Sequence, residues 1–410
     1  MHVLIIGAGL GGLTLAQTLR EQGISFQIFE RDTDKNSRFQ GWAIALHTIT
    51  DEMLSAMPSD MPDLKEATNH LAPLDLSAQI LMYYPEQSRM GFMDSPETPL
   101  IRAERYRLRE WLSTNIPIQW GKRLQRIESG DSGVTAWFED GTSAKGDMLV
   151  GADGIQSIVR QNLLHRSQNE LLQLVPLANI VGQLTLSGDA FRRQLALGHS
   201  SYSVVRPELG FITFVGLHDV SADGRSGRYY WMMMRPDPTV GEPDHWLQKA
   251  SKRAKLDHVL QAAEKLSPAL REIFDLTPVE GIREEKHIWR DLELSSLPAG
   301  RVVLLGDAAH AMTPFKGEGG YHAFLDALAL SKLFGKLAAD EEEGGAPSSL
   351  GAIKTAVEAY NTDMLRRSGQ SVRSSRISYD EAKKKVEKRQ AFLAPMKMIA
   401  ETEINMAVKV

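Results

Sequence analysis

Residues 2–12 read HVLIIGAGLGG, and the fold turns on them. The apolar run Val3 to Ile6, stopped by Gly7, has the pattern of a strand buried on both faces of a parallel sheet. Leu15, Ala16 and Leu19 then recur at helical spacing, Gly23 suits the position just past a helix, and Phe26 to Phe29 reads as a second strand. Strand, helix and strand in that order make one βαβ unit that starts at residue 2.

Within this unit Gly7, Gly9 and Gly12 have the G-x-G-x-x-G spacing, with Leu10 opening the helix. The first glycine permits a tight turn, the second lets backbone approach a pyrophosphate, and the third lets helix pack closely on strand. Free N–H groups at the helix start, with its partial positive charge, favour an anion by about 0.3–2 kcal/mol. Glu30, followed by Arg31, closes the second strand at the distance where an acid accepts hydrogen bonds from a ribose diol. A 2′-phosphate would be repelled there, so the expected ligand is FAD or NAD rather than NADP.

Further along, Val134 to Phe138, the Asp140-Gly141 pair and a second short run predict a hairpin. It leads into a strand at Met148 to Val150, which ends in Gly151-Ala152-Asp153-Gly154. From about residue 177 the texture changes to long alternating strands, Leu177 to Leu186, Gly210 to His218 and Arg228 to Arg235. Such alternation predicts a sheet with two unlike faces in a second domain. Residues 301–305 (RVVLL) then repeat the buried-strand pattern, again followed by Gly-Asp. Ala323, Ala327, Leu330, Phe334 and Leu337 line one face of a helix from about residue 320.

The expected class is therefore α/β: a discontinuous Rossmann-like cofactor-binding domain, a second mixed or antiparallel β-sheet domain for substrate, and a helical C-terminal segment. The first domain is placed at residues 1–72, 101–175 and 285–365, the second at 73–100 and 176–284, and the helical segment at 366–410. Residues 340–349 (DEEEGGAPSS) read as an exposed acidic loop, and Lys383 to Lys385 as a solvated helical face.

Composition removes several classes of function. The 410 residues carry 47 basic and 52 acidic side chains, a formal charge of −5, with no long basic block to track a nucleic acid. With no cysteine there are no disulfides, thiolate metal sites, iron–sulfur clusters or cysteine nucleophiles. The eleven histidines lack metal-ligand spacing, so no metal is expected. No stretch approaches the roughly 20 apolar residues of a membrane span, which makes a cytoplasmic location the default.

Gly306-Asp307-Ala308-Ala309-His310, then Pro314, then Gly317-Glu318-Gly319-Gly320 and the helix to Asp326-Ala327 call for a ligand longer than NAD. Asp307, at the carboxyl end of a strand, suits a polyol such as the ribityl chain of FAD. Gly319 and Gly320 offer N–H groups to a flavin pyrimidine edge, where negative charge collects on reduction. Three motifs spread over most of residues 1–335 now stand together: the first glycine turn, Asp153-Gly154 with Ser157 and Arg160, and Gly306-Asp307 through Ala327. On these the chain resembles the FAD-dependent monooxygenases of the aromatic-hydroxylase type, which include fungal secondary-metabolite and tetracycline-degrading members.

The resemblance implies non-covalent FAD, NAD(P)H as reductant, and O₂ transferred through a flavin hydroperoxide to a small aromatic, polyketide or alkaloid-like substrate, by hydroxylation or epoxidation. The cofactor carries the hard step, and the protein must keep water out. It also implies that Arg38 and Gly41-Trp42-Ala43 lie near the flavin and pyrophosphate. Arg105 matches a cofactor-contacting arginine, with Arg102 and Arg109 as competing choices. Asp153 either serves the cofactor or caps a helix. Tyr321 stands where the family pattern has asparagine. A bulky phenol there favours a rival reading, a redox-silent flavoprotein that binds a ligand or guides a non-oxidative rearrangement; a flavin dehydrogenase is a third reading. Tyr321 and His47 are the side chains considered for direct catalysis, while His310 and His322 are expected to satisfy backbone groups. Tyr230, Met232 and Met234 share one strand face, which with Pro314 either lines the substrate cavity or packs as core.

Overall fold

The computed structural model describes residues 1–46, 50–84, 86, 88–284, 288–344, 347–376 and 397–398. The opening unit forms as expected: β1 (His2–Ile6), α1 (Leu10–Glu21) and β2 (Ser25–Phe29). Gly23 adopts φ +68° and closes α1 by donating its N–H to the Arg20 carbonyl. A five-stranded parallel sheet runs in the order Val302–Leu304, Met148–Gly151, β1, β2, Ile118–Gln119. The chain thus comes back to its first sheet after building another, because Val302–Leu304 seats beside Met148–Gly151. Val3, Leu4 and Ile5 are fully buried, and α1 and the helices Gly319–Gly344 and Leu350–Ser375 add Leu13, Phe334 and Val357 to the same core.

The second sheet has seven strands, in the order Leu177–Ser187, Ser226–Pro236, Phe211–Val220, Ser201–Arg206, Gln79–Tyr83, Arg89–Met93, Lys397–Met398. Neighbours are antiparallel except Ser201–Arg206 with Gln79–Tyr83, which is parallel. Its two faces differ, as the alternation predicts. Tyr229, Trp231 and Met233 enter a core with Phe191 and Phe274 from the helices Gly188–Leu197 and Pro268–Asp275. Trp231 fits because Gly182 lies opposite: a Cβ there would sit 2.2 Å from the indole. Tyr230 and Met234 are also buried, but lie outside this core on the other face.

One expectation needs correction. Residues 340–344 belong to the helix Gly319–Gly344, not to a loop. Glutamates are good helix formers, and Glu341 is tied down by the Met1 amine at 3.1 Å and by the Ser348 N–H at 3.0 Å. The C-terminal segment is helical as expected through Leu350–Ser375, and the later strand Lys397–Met398 pairs with Arg89–Met93 and covers that strand's backbone groups. Lys383 to Lys385 lie outside the described residues. Among the described residues no helix is long and apolar enough to cross a membrane.

Candidate cofactor site

The three glycines of the opening turn are constrained by different things. Gly7 has φ +109°, and a Cβ on it would lie 2.4 Å from the Ala152 carbonyl oxygen; a Cβ on Gly12 would lie 2.1 Å from the Gly7 oxygen. Packing therefore demands both. Gly9 has φ −81°, and a Cβ on it would meet no atom within 4 Å. Nothing among the described residues requires a glycine there, so its smallness is left to serve whatever approaches the turn.

Ala8, between them, is clamped on both sides. Its N–H donates to Glu30 Oε2 at 2.9 Å, and its carbonyl accepts from Arg109 Nε at 2.8 Å. Glu30 is 4% exposed, and its Oε1 accepts the Asp32 N–H at 3.1 Å. Arg109 lies over the Trp120 ring at 5.2 Å with one terminal nitrogen 3.6 Å from Glu30 Oε2. Both its terminal nitrogens are buried without a hydrogen-bond partner, and such donors are costly unless an acceptor comes to them.

The competing arginines separate clearly. Arg105 opens the helix Arg105–Leu112, is exposed, and has Asp307 and Arg38 as charged neighbours. Its N–H donates to the Trp42 carbonyl at 2.8 Å, and Gly41, at φ +99°, leaves room for its side chain: a Cβ there would lie 3.0 Å from Arg105 Cδ. Arg109 stands one helical turn further on and reaches the glycine turn itself. Arg102 points elsewhere, to Tyr230. Arg38 holds Asp32 at 2.7 Å, and Arg31 is part-exposed beside Glu30.

Asp153 acts as a cap, as its plainer reading holds. Its Oδ2 accepts the N–H groups of Ile158 and Val159 at 2.7 and 3.1 Å, while its Oδ1 is buried without a partner. Burial raises its carboxyl above the ordinary value, against hydrogen bonds from Ser157 and the backbone. Arg160, fully buried, donates to the carbonyls of Ala308 and Ile155 and so ties this helix to the Gly306-Asp307 turn. Gly306 has φ +59°, and Asp307 behind it is exposed at the start of the short helix Asp307–His310.

Sequence reasoning missed the group that holds this turn. Asp326, fully buried on Gly319–Gly344, accepts the Gly306 N–H at 2.9 Å, His310 Nε2 at 2.6 Å and an Arg367 nitrogen at 3.1 Å. Burial works against the His310 imidazolium, but the Asp326 carboxylate beside it raises its pKa on balance. His322 pairs with Ser371 at 2.8 Å and is lowered to about 4, by burial first and then by the His310 charge. Where backbone partners were expected, the rings of His310 and His322 bond side chains, because folding brings Asp326, Ser371 and Arg367 to them. Tyr321, in the first turn of the same helix, packs edge-on against His322 with ring centroids 5.4 Å apart. Pro314 and Gly317 are exposed, Gly317 at φ +66°. His47 lies outside the described residues.

The second sheet reaches this region through aromatic rings. Trp42 stacks on Tyr230 with centroids 4.4 Å apart and planes within 7°, Phe39 packs on Trp42, and Phe214 on Tyr230. Met232 is part-buried on the same strand face as Tyr230.

The turn at Gly9, the Arg109 nitrogens without hydrogen bonds among the described residues, and the exposed Arg105 and Asp307 fit a long, anionic dinucleotide such as FAD. Residues 1–368 match the family described as the FAD binding domain. The chain is 60% identical, over 409 residues and 100% of both chains, to an FAD-dependent monooxygenase of Trichoderma harzianum. Among solved structures it is similar to Klebsiella pneumoniae HpxO complexed with FAD and uric acid, with a TM-score of 0.65 and 24% identity over 92% of this chain and 87% of that one. It is also similar to a tetracycline destructase, with a TM-score of 0.57 and 16% identity over 94% and 95%. At those identities the two structures speak for the fold.

Proposed function

From the premise that this chain belongs to the FAD binding domain family and is an FAD-dependent monooxygenase, we propose that it uses NAD(P)H and O₂ to hydroxylate or epoxidise a small aromatic, polyketide or alkaloid-like compound. Bound FAD supplies the redox chemistry and the activated oxygen. Gly9 admits the diphosphate to the start of α1, where Arg109 has two donors without partners. Glu30 holds the turn through Ala8 and presents its remaining lone pairs to the adenosine ribose, with Arg31 beside it. Arg38 and Arg105 offset the cofactor's negative charge. Asp307 takes the ribityl hydroxyls, and Gly319, Gly320 and Tyr321 direct backbone N–H groups to the pyrimidine edge, with Pro314 and Gly317 in the preceding loop.

The sheet face carrying Tyr230, Met232 and Met234 forms the apolar side of the substrate site. The Trp42–Tyr230 stack helps exclude water there. The observation that carries this reading is the contrast within one turn: Gly7 and Gly12 are fixed by contacts under 2.5 Å, while Gly9 is free of any. Tyr321 is the residue that favours a redox-silent protein. Its ring is drawn against His322 and the core, which works against its obstructing the flavin. The test is purified, FAD-loaded protein given NADPH or NADH, candidate substrates and isotopically labelled O₂. Label in the product supports the proposal. Equal conversion without O₂ or reductant overturns it.

A further inference from the structure

The second sheet has a pocket on its outer face, opposite the face that carries Tyr230. Paired positions of two strands form its floor: Ile180 lies across from Met233, and Ala178 across from Arg235. Trp246 and Leu247 of the short helix Trp246–Lys249 and His258 of the helix Lys252–Ala263 complete the lining. The pocket encloses about 230 Å³, part of it open to solvent.

Arg235 is the cation of this pocket, and it has no counter-ion. Its one partner among the described residues is His258 Nε2 at 3.2 Å. The nearest acid in sequence, Asp237, is taken by His245 at 2.8 Å and by the N–H and hydroxyl of Thr239. Asp257, next to His258, pairs with Arg253. A guanidinium has no acceptor, so His258 Nε2 must accept and carries no proton. Burial, and then the Arg235 charge, lower the pKa of this imidazole, which agrees with a neutral ring. His258 thus steadies Arg235 without adding or cancelling charge.

A lone exposed indole is ordinary. Trp246, 41% exposed, is not alone: its ring lies 4.8 Å from that of His258 and borders an apolar floor beside an uncompensated arginine. An apolar floor, a flat aromatic wall and one cation suit a flat apolar body that bears a single negative charge. A phosphate would leave the floor bare and bring more charge than one arginine meets.

We propose that this pocket is a second binding site, for a small aromatic carboxylate, whose charge pairs with Arg235 while its ring lies against Trp246 over Ile180 and Met233. Met233 and Arg235 alternate with Met232 and Met234 along one strand, so this site and the proposed substrate face sit on opposite sides of the strand Ser226–Pro236.

The test uses FAD-loaded protein, 4-nitrobenzoate, which quenches indole fluorescence, and its neutral isostere 4-nitrobenzamide. Calorimetry reads binding, tryptophan fluorescence reads the outer pocket, and the flavin spectrum reports binding on the cofactor side. The acid should quench saturably and bind about fivefold or more tightly than the amide. Trp246→Phe should keep the calorimetric binding and lose part of the quenching. Arg235→Gln should weaken the acid about fivefold, leave the amide unchanged and keep the flavin spectrum. Trp246→Ala, at an exposed position, should weaken both probes. Equal affinity for acid and amide, identical quenching in parent and Trp246→Phe, or undiminished acid binding by Arg235→Gln overturns the proposal. Binding that registers only in the flavin spectrum overturns it too, because the ligand then occupies the cofactor side. Should Arg235→Gln fail to fold, the comparison of acid with amide in the parent and the Trp246→Ala titration decide without it.

Discussion

Glu30 and Ala8 hold each other: the carboxylate takes the Ala8 N–H at 2.9 Å inside a site that is 4% exposed, so the side chain expected at the ribose also shapes the turn. Glu30→Ala should therefore act twice, weakening FAD binding about tenfold or more and, by orphaning a buried N–H, lowering stability by about 1–3 kcal/mol even without cofactor. Titration of apoprotein with FAD reads the first effect and denaturant melts of apoprotein the second. Unchanged affinity would remove Glu30 from the ribose. His322 gives a prediction in pH. Its folded pKa, about 4, lies below its ordinary one near 6.5, so its neutral form favours folding fully above that ordinary value. The contribution is lost as pH falls from about 6.5 toward about 4, at up to roughly 1.4 kcal/mol per pH unit. Acid melts of His322→Gln should be flatter than those of the parent across that window, and parallel curves would refute the assignment.

Elements were legible in the sequence where their cause is local. The run Val3–Ile6 and the glycine spacing needed only nearest neighbours along the chain, and β1, α1 and β2 form on them. The two-faced strand Ser226–Pro236 was legible for the same reason, because a period of two survives in any sheet. What could not be read were contacts made by folding: Arg109 on Ala8 across 101 residues, and Asp326 on Gly306 across 20. The acidic run at 340–344 misled because polarity signals solvent, and a solvated helix end satisfies it as well as a loop does. At this scale the turn itself makes the next prediction. Gly9→Ala should leave apoprotein stability within about 0.5 kcal/mol, since its Cβ touches nothing and its φ suits alanine, yet should impair FAD binding. Gly12→Ala, with its Cβ on the Gly7 oxygen, should cost about 1–3 kcal/mol or more in apoprotein and take FAD binding with it. Paired melts and FAD titrations separate the two, and normal FAD binding by Gly9→Ala would move the diphosphate away from this turn.

Across the whole molecule, one buried carboxylate joins its own helix to two other stretches of chain. Asp326 holds the Gly306 turn by its N–H, the helix Asp307–His310 through His310, and the helix Leu350–Ser375 through Arg367. Arg367 is held in turn by Asp363 and lies 3.4 Å from His322 Nδ1. The C-terminal helix thereby braces the Gly306-Asp307 turn from behind. Asp326→Asn would leave two cations facing a neutral amide in the core, and should destabilise the protein by about 3–5 kcal/mol. Arg367→Met should cost less, because Asp326 keeps the His310 charge and the Gly306 N–H. The raised pKa of His310 adds a check in pH. Its charged form supports the fold fully below the ordinary imidazole value, and that support fades as pH rises through the raised one, so Asp326→Asn should lose this alkaline dependence. Denaturant melts of apoprotein across pH, with FAD release followed in the same samples, order the variants. If Arg367→Met proved as damaging as Asp326→Asn, the bracing would come from the helix contact and not from the shared carboxylate.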